Sequence, residues 1–226
     1  HTTIVTSAME HDAVLATCES IVAEGGERRI AWVDVSEEGL IDVDDVASHV
    51  GDDTLAVAIM AANNEVGTVQ PIAEVGRICR AAGAPLLVDL AQILGKIPVS
   101  AAEMDFDLAA LSAHKFYGPK GVGALIIRRG GAGERLTPLI HGASYERGLR
   151  AGTLNVPGIV GMGAAAELAR TELEQEANHV RELRQSFLSH LSAAGLEPLI
   201  NGSWEHRLPN NLHISFPGVE ASSVLE

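Results

Sequence analysis

A lysine stands in a turn of small residues at 112–125, SAHKFYGPKGVGAL, directly after the apolar run LAAL. Taken alone, Lys115 allows three readings: a solvated turn residue, a phosphate-loop lysine, or an amine that forms a covalent bond. Other polar residues also fall just past apolar runs. His11 follows TTIVTS, and Asn63, Asn64 and Glu65 follow TLAVAIMA. Asp89 ends PLLVD with Gln92 a turn later, and Ser112 and His114 precede the lysine. Each has an ordinary structural explanation. An Asp after a strand commonly caps a helix, and Asn favours turns. His11 suits an exposed helix start, and His114 a satisfied core histidine. Their convergence suggests a site, because ligands of open α/β sheets bind beyond the carboxyl ends of the strands.

Several chemistries fit this set poorly. HKFYGPKGVG has no second histidine at helical spacing, so a metal site is not expected. GPKGVG lacks the G-x-x-x-x-G-K-[ST] order of a P-loop, and a nucleotide would need Lys120 rather than Lys115 at its phosphates. No G-x-S-x-G elbow presents a serine nucleophile. Pyridoxal 5'-phosphate (PLP) fits better, since it requires a lysine for a Schiff base and an acid for the pyridine nitrogen. Lys115 and Asp89 supply those two groups, and a flat imidazole such as His11 could stack on the ring.

The elements that must position these residues follow from the hydrophobic pattern. Strands are expected at TTIVTS, RIAWVDV, TLAVAIMA, PLLVDL, FDLAALSA and GVGALIIRR. Helices are expected at HDAVLATCESIVAEG, DVDDVASHV and IAEVGRICRAAG, the last closed by Gly83. This alternation predicts an α/β fold, a mostly parallel sheet with helices on both faces and right-handed crossovers. A long helix starts near Val156, Pro157 and Gly158, and its polar stretch from Thr171 to Asn178 could bridge two units. NLHISF then reads as a strand of a second unit. The expected division is a large domain over 1–170 and the beginning of a small α+β domain over 171–226.

Composition narrows the class. The 226 residues are 46% hydrophobic and 20% charged, which is ordinary for a globular protein. A formal net charge of −14 argues against nucleic acid or an anionic membrane surface as the main partner. The longest apolar run is too short to span a membrane. Cys18 and Cys79 make no disulfide framework and read as buried small hydrophobes, which fits a reducing, cytoplasmic setting. The chain opens inside a strand without Met and stops inside a helix, so it reads as a fragment of a longer protein.

Four segments together, MAANNEVGTVQPI, LLVDLAQILGKIPV, LSAHKFYGPKGVGAL and ERGLRAGTLNVPGIVG, resemble the cysteine desulfurases and the closely similar selenocysteine lyases. These are fold-type I PLP enzymes of the class V aminotransferase group. The resemblance runs in order from VTSAMEHDAVL to LPNNLHISFPGVEASSVLE, essentially the whole chain. It implies that Lys115 is the Schiff-base lysine and moves the α-proton. Asp89 matches the pyridinium partner, and Gln92 the residue on the cofactor's phenolic oxygen. His11 matches the ring-stacking histidine, which also assists proton transfer. Ser112 and His114 match phosphate-binding positions, and Asn64 a residue near the cofactor oxygen and the substrate carboxylate. Thr153 resembles a threonine that reaches across a dimer interface to the partner's cofactor phosphate. HGASYERG departs from the family's glycine-rich HGGGxERG at Ala143 and Ser144, and Leu154 replaces a commoner acid.

The resemblance further implies a homodimer that turns L-cysteine into alanine. The sulfur would leave as a persulfide on an enzyme cysteine and pass to an acceptor or scaffold protein for iron–sulfur or thiocofactor assembly. The location would be the cytoplasm, or the mitochondrial matrix in a eukaryote. By the same resemblance, the family's nucleophilic cysteine and carboxylate-binding arginine would lie past Glu226, and a further phosphate-binding threonine would precede His1. The fragment alone is therefore expected to be inactive. Two alternatives share these residues: a selenocysteine lyase, and a non-catalytic scaffold that keeps the fold.

Overall fold

The structure, a computed structural model, describes residues 1–131 and 136–225. Six strands form one sheet: β1 (Thr3–Ser7), β2 (Arg29–Val33), β3 (Thr54–Met60), β4 (Leu86–Asp89), β5 (Leu108–Ser112) and β6 (Gly123–Ile127). Their order is β2-β1-β3-β4-β5-β6. All neighbours run parallel except β5 and β6. This is the mostly parallel α/β sheet expected from the sequence. From β1 the chain goes outward to β2, then returns past β1 to β3. The strand order therefore switches direction between β1 and β3, where open sheets leave a crevice at their carboxyl ends.

The connecting helices are α1 (Asp12–Ala23), α2 (Val43–His49), α3 (Ile72–Ala82) and the single turn α4 (Ala101–Met104). Asp42 caps α2 by accepting from the Asp44 and Asp45 N–H groups, the usual role of an acid before a helix. Gly83 ends α3 at φ 67°, a left-handed conformation that glycine adopts without strain.

Period-two alternation divides each strand between the two faces of the sheet. Val5, Val57, Ile59, Leu86, Val88 and Ala109 point to one side and pack with Val46 of α2 and with Ile72, Val75 and Cys79 of α3. Each large side chain buried this way contributes about 1.5–3 kcal/mol of transfer free energy. Ile4, Ala56, Ala58, Leu87, Leu108 and Ala110 point to the other side and line a large cavity with residues of α1.

Past the sheet, β7 (Ser144–Tyr145) and β8 (Arg150–Ala151) form a small hairpin. Then α5 runs unbroken over 38 residues, Val156–Ala193. Its Asn155 cap accepts from the Gly158 N–H, and Pro157 occupies the first turn, where its missing N–H costs nothing. The helix begins where its sequence predicts. NLHISF is less regular than expected. Only β10 (Ile214–Ser215) is a strand, paired antiparallel with β9 (Leu199–Ile200). The preceding Asn211 instead ties the segment to the sheet domain, donating to the Glu65 carbonyl at 2.8 Å and accepting from Arg207. A short helix, α6 (Ala221–Leu225), follows.

Candidate active site

The cavity on the second face has a volume of about 1020 Å³. Register places polar groups at its carboxyl end. Met60 pairs with Asp89, Asp89 with Ala110, and Ser112 lies two residues further on the same face of β5. His11, Asn64, Asp89, Gln92, Ser112, His114 and Lys115 all line this cavity. The structure thus brings together seven of the eight site residues expected from the sequence. Thr153 is exposed in the turn after β8 and lies outside that lining, its carbonyl accepting from Arg150 at 3.1 Å.

Lys115 sits in a single 3-10 turn, Ala113–Phe116, between β5 and β6. Ala113 and Phe116 are buried and anchor the turn, while Lys115 and His114 are exposed. Tyr117 closes it at φ 65°, and the Gly118 N–H returns to the Ala113 carbonyl at 2.9 Å. A Cβ on Gly118 would stand 2.9 Å from Ala113, and one on Gly123 would stand 2.4 Å from the Leu111 carbonyl oxygen. The small residues behind the lysine are therefore a packing requirement. They let the chain reverse tightly and re-enter the sheet as β6.

The other groups are held just as specifically. Asp89 Oδ1 accepts from the Ala91 N–H at 2.8 Å, which fixes the carboxylate at the strand end. Its Oδ2 accepts no hydrogen bond among the described residues, so half of the carboxylate is open to the cavity. The Ala13 N–H donates to His11 Nδ1 at 3.1 Å, making His11 the N-cap of α1. That nitrogen is then unprotonated, and a neutral ring carries its hydrogen on Nε2. The two asparagines divide their roles. Asn63 is buried and structural, accepting from the Glu65 and Val66 N–H groups and donating to the Met9 carbonyl. Asn64 is the exposed one that lines the cavity.

Two residues escaped the sequence reading. Glu10 is buried in the cavity wall, where Oε1 accepts from Ser7 Oγ at 3.1 Å and from the Met60 N–H at 2.9 Å. Its Oε2 is buried without a partner among the described residues. Burial pushes its carboxyl up to about 8 against the pull of those two hydrogen bonds, and nearby Asp89 adds to the rise. The signal was an acid beside His11 just after a strand. Lys96 is the second, donating to Gln92 Oε1 at 2.8 Å. Its spacing of four residues from Gln92 was visible, but no helical pattern marked the loop.

The aminotransferase class V model matches residues 1–226. The chain belongs to the aminotransferase class V family. This class V chain is 42% identical over 222 residues to the cysteine desulfurase IscS of Rickettsia prowazekii, covering 98% of this chain and 53% of that protein. It is 45% identical to the cysteine desulfurase IscS of Dictyoglomus turgidum, covering 98% of this chain and 55% of that protein. A solved structure described as a NifS-like protein superposes with a TM-score of 0.91 at 43% identity, over 99% of this chain and 60% of that one. The class V chain thus spans about half the length of the curated relatives it matches. Enzymes of this family depend on PLP. The residues here suit that group: an amine in a tight turn, an open carboxylate oxygen at the end of a neighbouring strand, and an imidazole on the crevice rim.

Proposed function

We propose that the full-length protein is a PLP-dependent cysteine desulfurase that releases alanine from L-cysteine and passes the sulfur on. The observation that carries this reading is the shared cavity edge of Lys115 and Asp89 at the ends of β5 and β4, in a chain similar to cysteine desulfurases over 98% of its length. PLP, when bound, supplies an electron sink for a carbanion at the substrate's α-carbon. Lys115 would hold the cofactor covalently and carry the α-proton. The open Oδ2 of Asp89 would accept from the pyridinium N–H, a charge-assisted bond that keeps the ring electron-poor. His11, with its ring oriented by the Ala13 N–H, would lie on the ring face. Ser112 and His114 would hold the phosphate, Gln92 the phenolic oxygen, and Asn64 the side of the substrate carboxylate.

We further propose that Thr153 serves the cavity of a second copy in a homodimer. Its exposure supports this, as do the large apolar side chains of Leu139 and Ile140, which are 94% and 68% exposed. The sulfur acceptor is a separate protein, and a cytoplasmic setting suits the free, buried cysteines. Among the described residues no helix is long and apolar enough to cross a membrane. A large PLP-binding unit over 1–170 and a second unit from 171 remain our division, with α5 passing continuously through the boundary.

The test is turnover by the full-length protein supplied with PLP. With a dithiol present to reduce the persulfide sulfur, itself going to the disulfide, L-cysteine should yield alanine and sulfide. Turnover of L-selenocysteine alone would make it a selenocysteine lyase, and turnover of neither would leave the scaffold reading.

A further inference from the structure

The loop after β4 brings two polar side chains together through a wall between two cavities. Gln92 lines the large cavity, whereas Lys96 lines a second one of about 410 Å³ between this loop, the Lys115 turn and α5. Lys115 lines both. The backbone fixes the pair. Leu90 and Ile93 are fully buried, and the Lys96 and Ile97 N–H groups both donate to the Ile93 carbonyl at 3.1 Å. Gly95 adopts φ 70°, and a Cβ there would stand 3.0 Å from Ala169 and 3.4 Å from Phe116. The loop is thus pressed onto α5 and the Lys115 turn.

Lys96 Nζ donates to Gln92 Oε1 at 2.8 Å. An ammonium has donors and no acceptor, so its partner must be the carbonyl end of the amide. The Nε2 end is then the free one, and it donates to no described residue. Without such an anchor a glutamine side chain turns either end outward, because its last torsion is broad and two-fold. We propose that Lys96 is a positioning residue: it orients Gln92 so that the amide N–H groups face the cavity, making this position a donor to an anionic ligand oxygen. The proposal rests on the PLP reading above, in which that oxygen is the phenolic one. Burial, then the neighbouring Lys115, push Lys96 down to about 8, as expected of a cation held by the loop beside another lysine. Glu172 and Glu176 line the same second cavity.

The experiment uses the full-length holoprotein and its visible absorption band, titrated with pH in the absence of substrate. Variants are Lys96→Met, Lys96→Arg, Gln92→Leu and the double variant Lys96→Met/Gln92→Leu. Loss of a donor to the phenolic oxygen makes that oxygen more basic. Lys96→Met should therefore raise the titration midpoint by about one pH unit, the size of one hydrogen bond to a charged group. Lys96→Arg should stay near wild type, and Lys96→Met should add little in the Gln92→Leu background. An equal shift in both backgrounds would overturn the proposal, because Lys96 would then act by charge alone. So would a Lys96→Met midpoint equal to wild type. A wild-type protein that shows no band with PLP would instead overturn the cofactor reading beneath it.

Discussion

Glu10 and Met60 join the two strands at which the sheet order switches: the Met60 N–H at the end of β3 donates to Glu10 Oε1, just past β1, at 2.9 Å. With Ser7 on the same oxygen, this carboxyl staples the crevice that His11 and Asn64 border. Its folded value of about 8 lies above its ordinary 4.5. Between those values the folded chain binds more protons than the unfolded one, so stability falls as pH rises through that window. Glu10→Gln keeps the acceptor for Ser7 and Met60 and removes the ionisation. Urea unfolding at pH 5 and pH 8.5 should show the variant gaining on wild type at the higher pH by roughly 2–4 kcal/mol. Parallel behaviour at both values would contradict this account of Glu10.

Asp89 presents an open oxygen to the cavity, and the proposed pyridinium bond needs its negative charge. Asp89→Asn keeps an acceptor for the Ala91 N–H but loses that charge. A charge-assisted hydrogen bond of about 1.5–3 kcal/mol corresponds to about a 10- to 100-fold loss. Steady-state turnover of L-cysteine by the full-length variant should fall by at least that factor with the fold intact by circular dichroism. Undiminished turnover would remove Asp89 from the site.

Gly123 starts β6 opposite Ser112, and a Cβ there would meet the Leu111 carbonyl oxygen at 2.4 Å. Gly123→Ala must therefore push β6 away from β5 and disturb the turn that carries Lys115. Overpacking of this kind costs about 1–3 kcal/mol. Denaturant unfolding should report that loss, and a neutral result would show that the β5–β6 ladder yields freely.

Cys79 is 1% exposed, and burial, with Asp107 adding to it, pushes its thiol up to about 12. Burial likewise raises Cys18, helped by Glu10. Thiolates are the reactive form, so both should resist iodoacetamide at pH 8 in the native chain and react in urea. Mass spectrometry of the labelled peptides checks this. Fast native labelling of Cys79 would show that the core around α3 opens readily.

The sequence pattern made the sheet legible because buried strands and caps leave local marks: TLAVAIM, PLLVD and the Gly83 stop each sit where the structure puts them. The site was legible for a different reason. Its residues follow strands, and the rule for open sheets converts that position into proximity. What stayed hidden depends on three-dimensional partners. Glu10 is distinctive only because Met60, 50 residues away, donates to it, and Lys96 only because the loop at Gly95 folds against α5. The segment around NLHISF reads as a strand by pattern, but the Asn211 side chain donates to the Glu65 carbonyl and accepts from Arg207, whose backbone bridges to Thr68.

The proposed function makes Lys115 the covalent anchor of the cofactor. Full-length holoprotein treated with borohydride, digested and mapped by tandem mass spectrometry tests it directly. A reduced pyridoxyl group is expected on Lys115 and should be absent from Lys115→Ala. The same group on Lys96 or Lys120, or on no lysine at all, would contradict it.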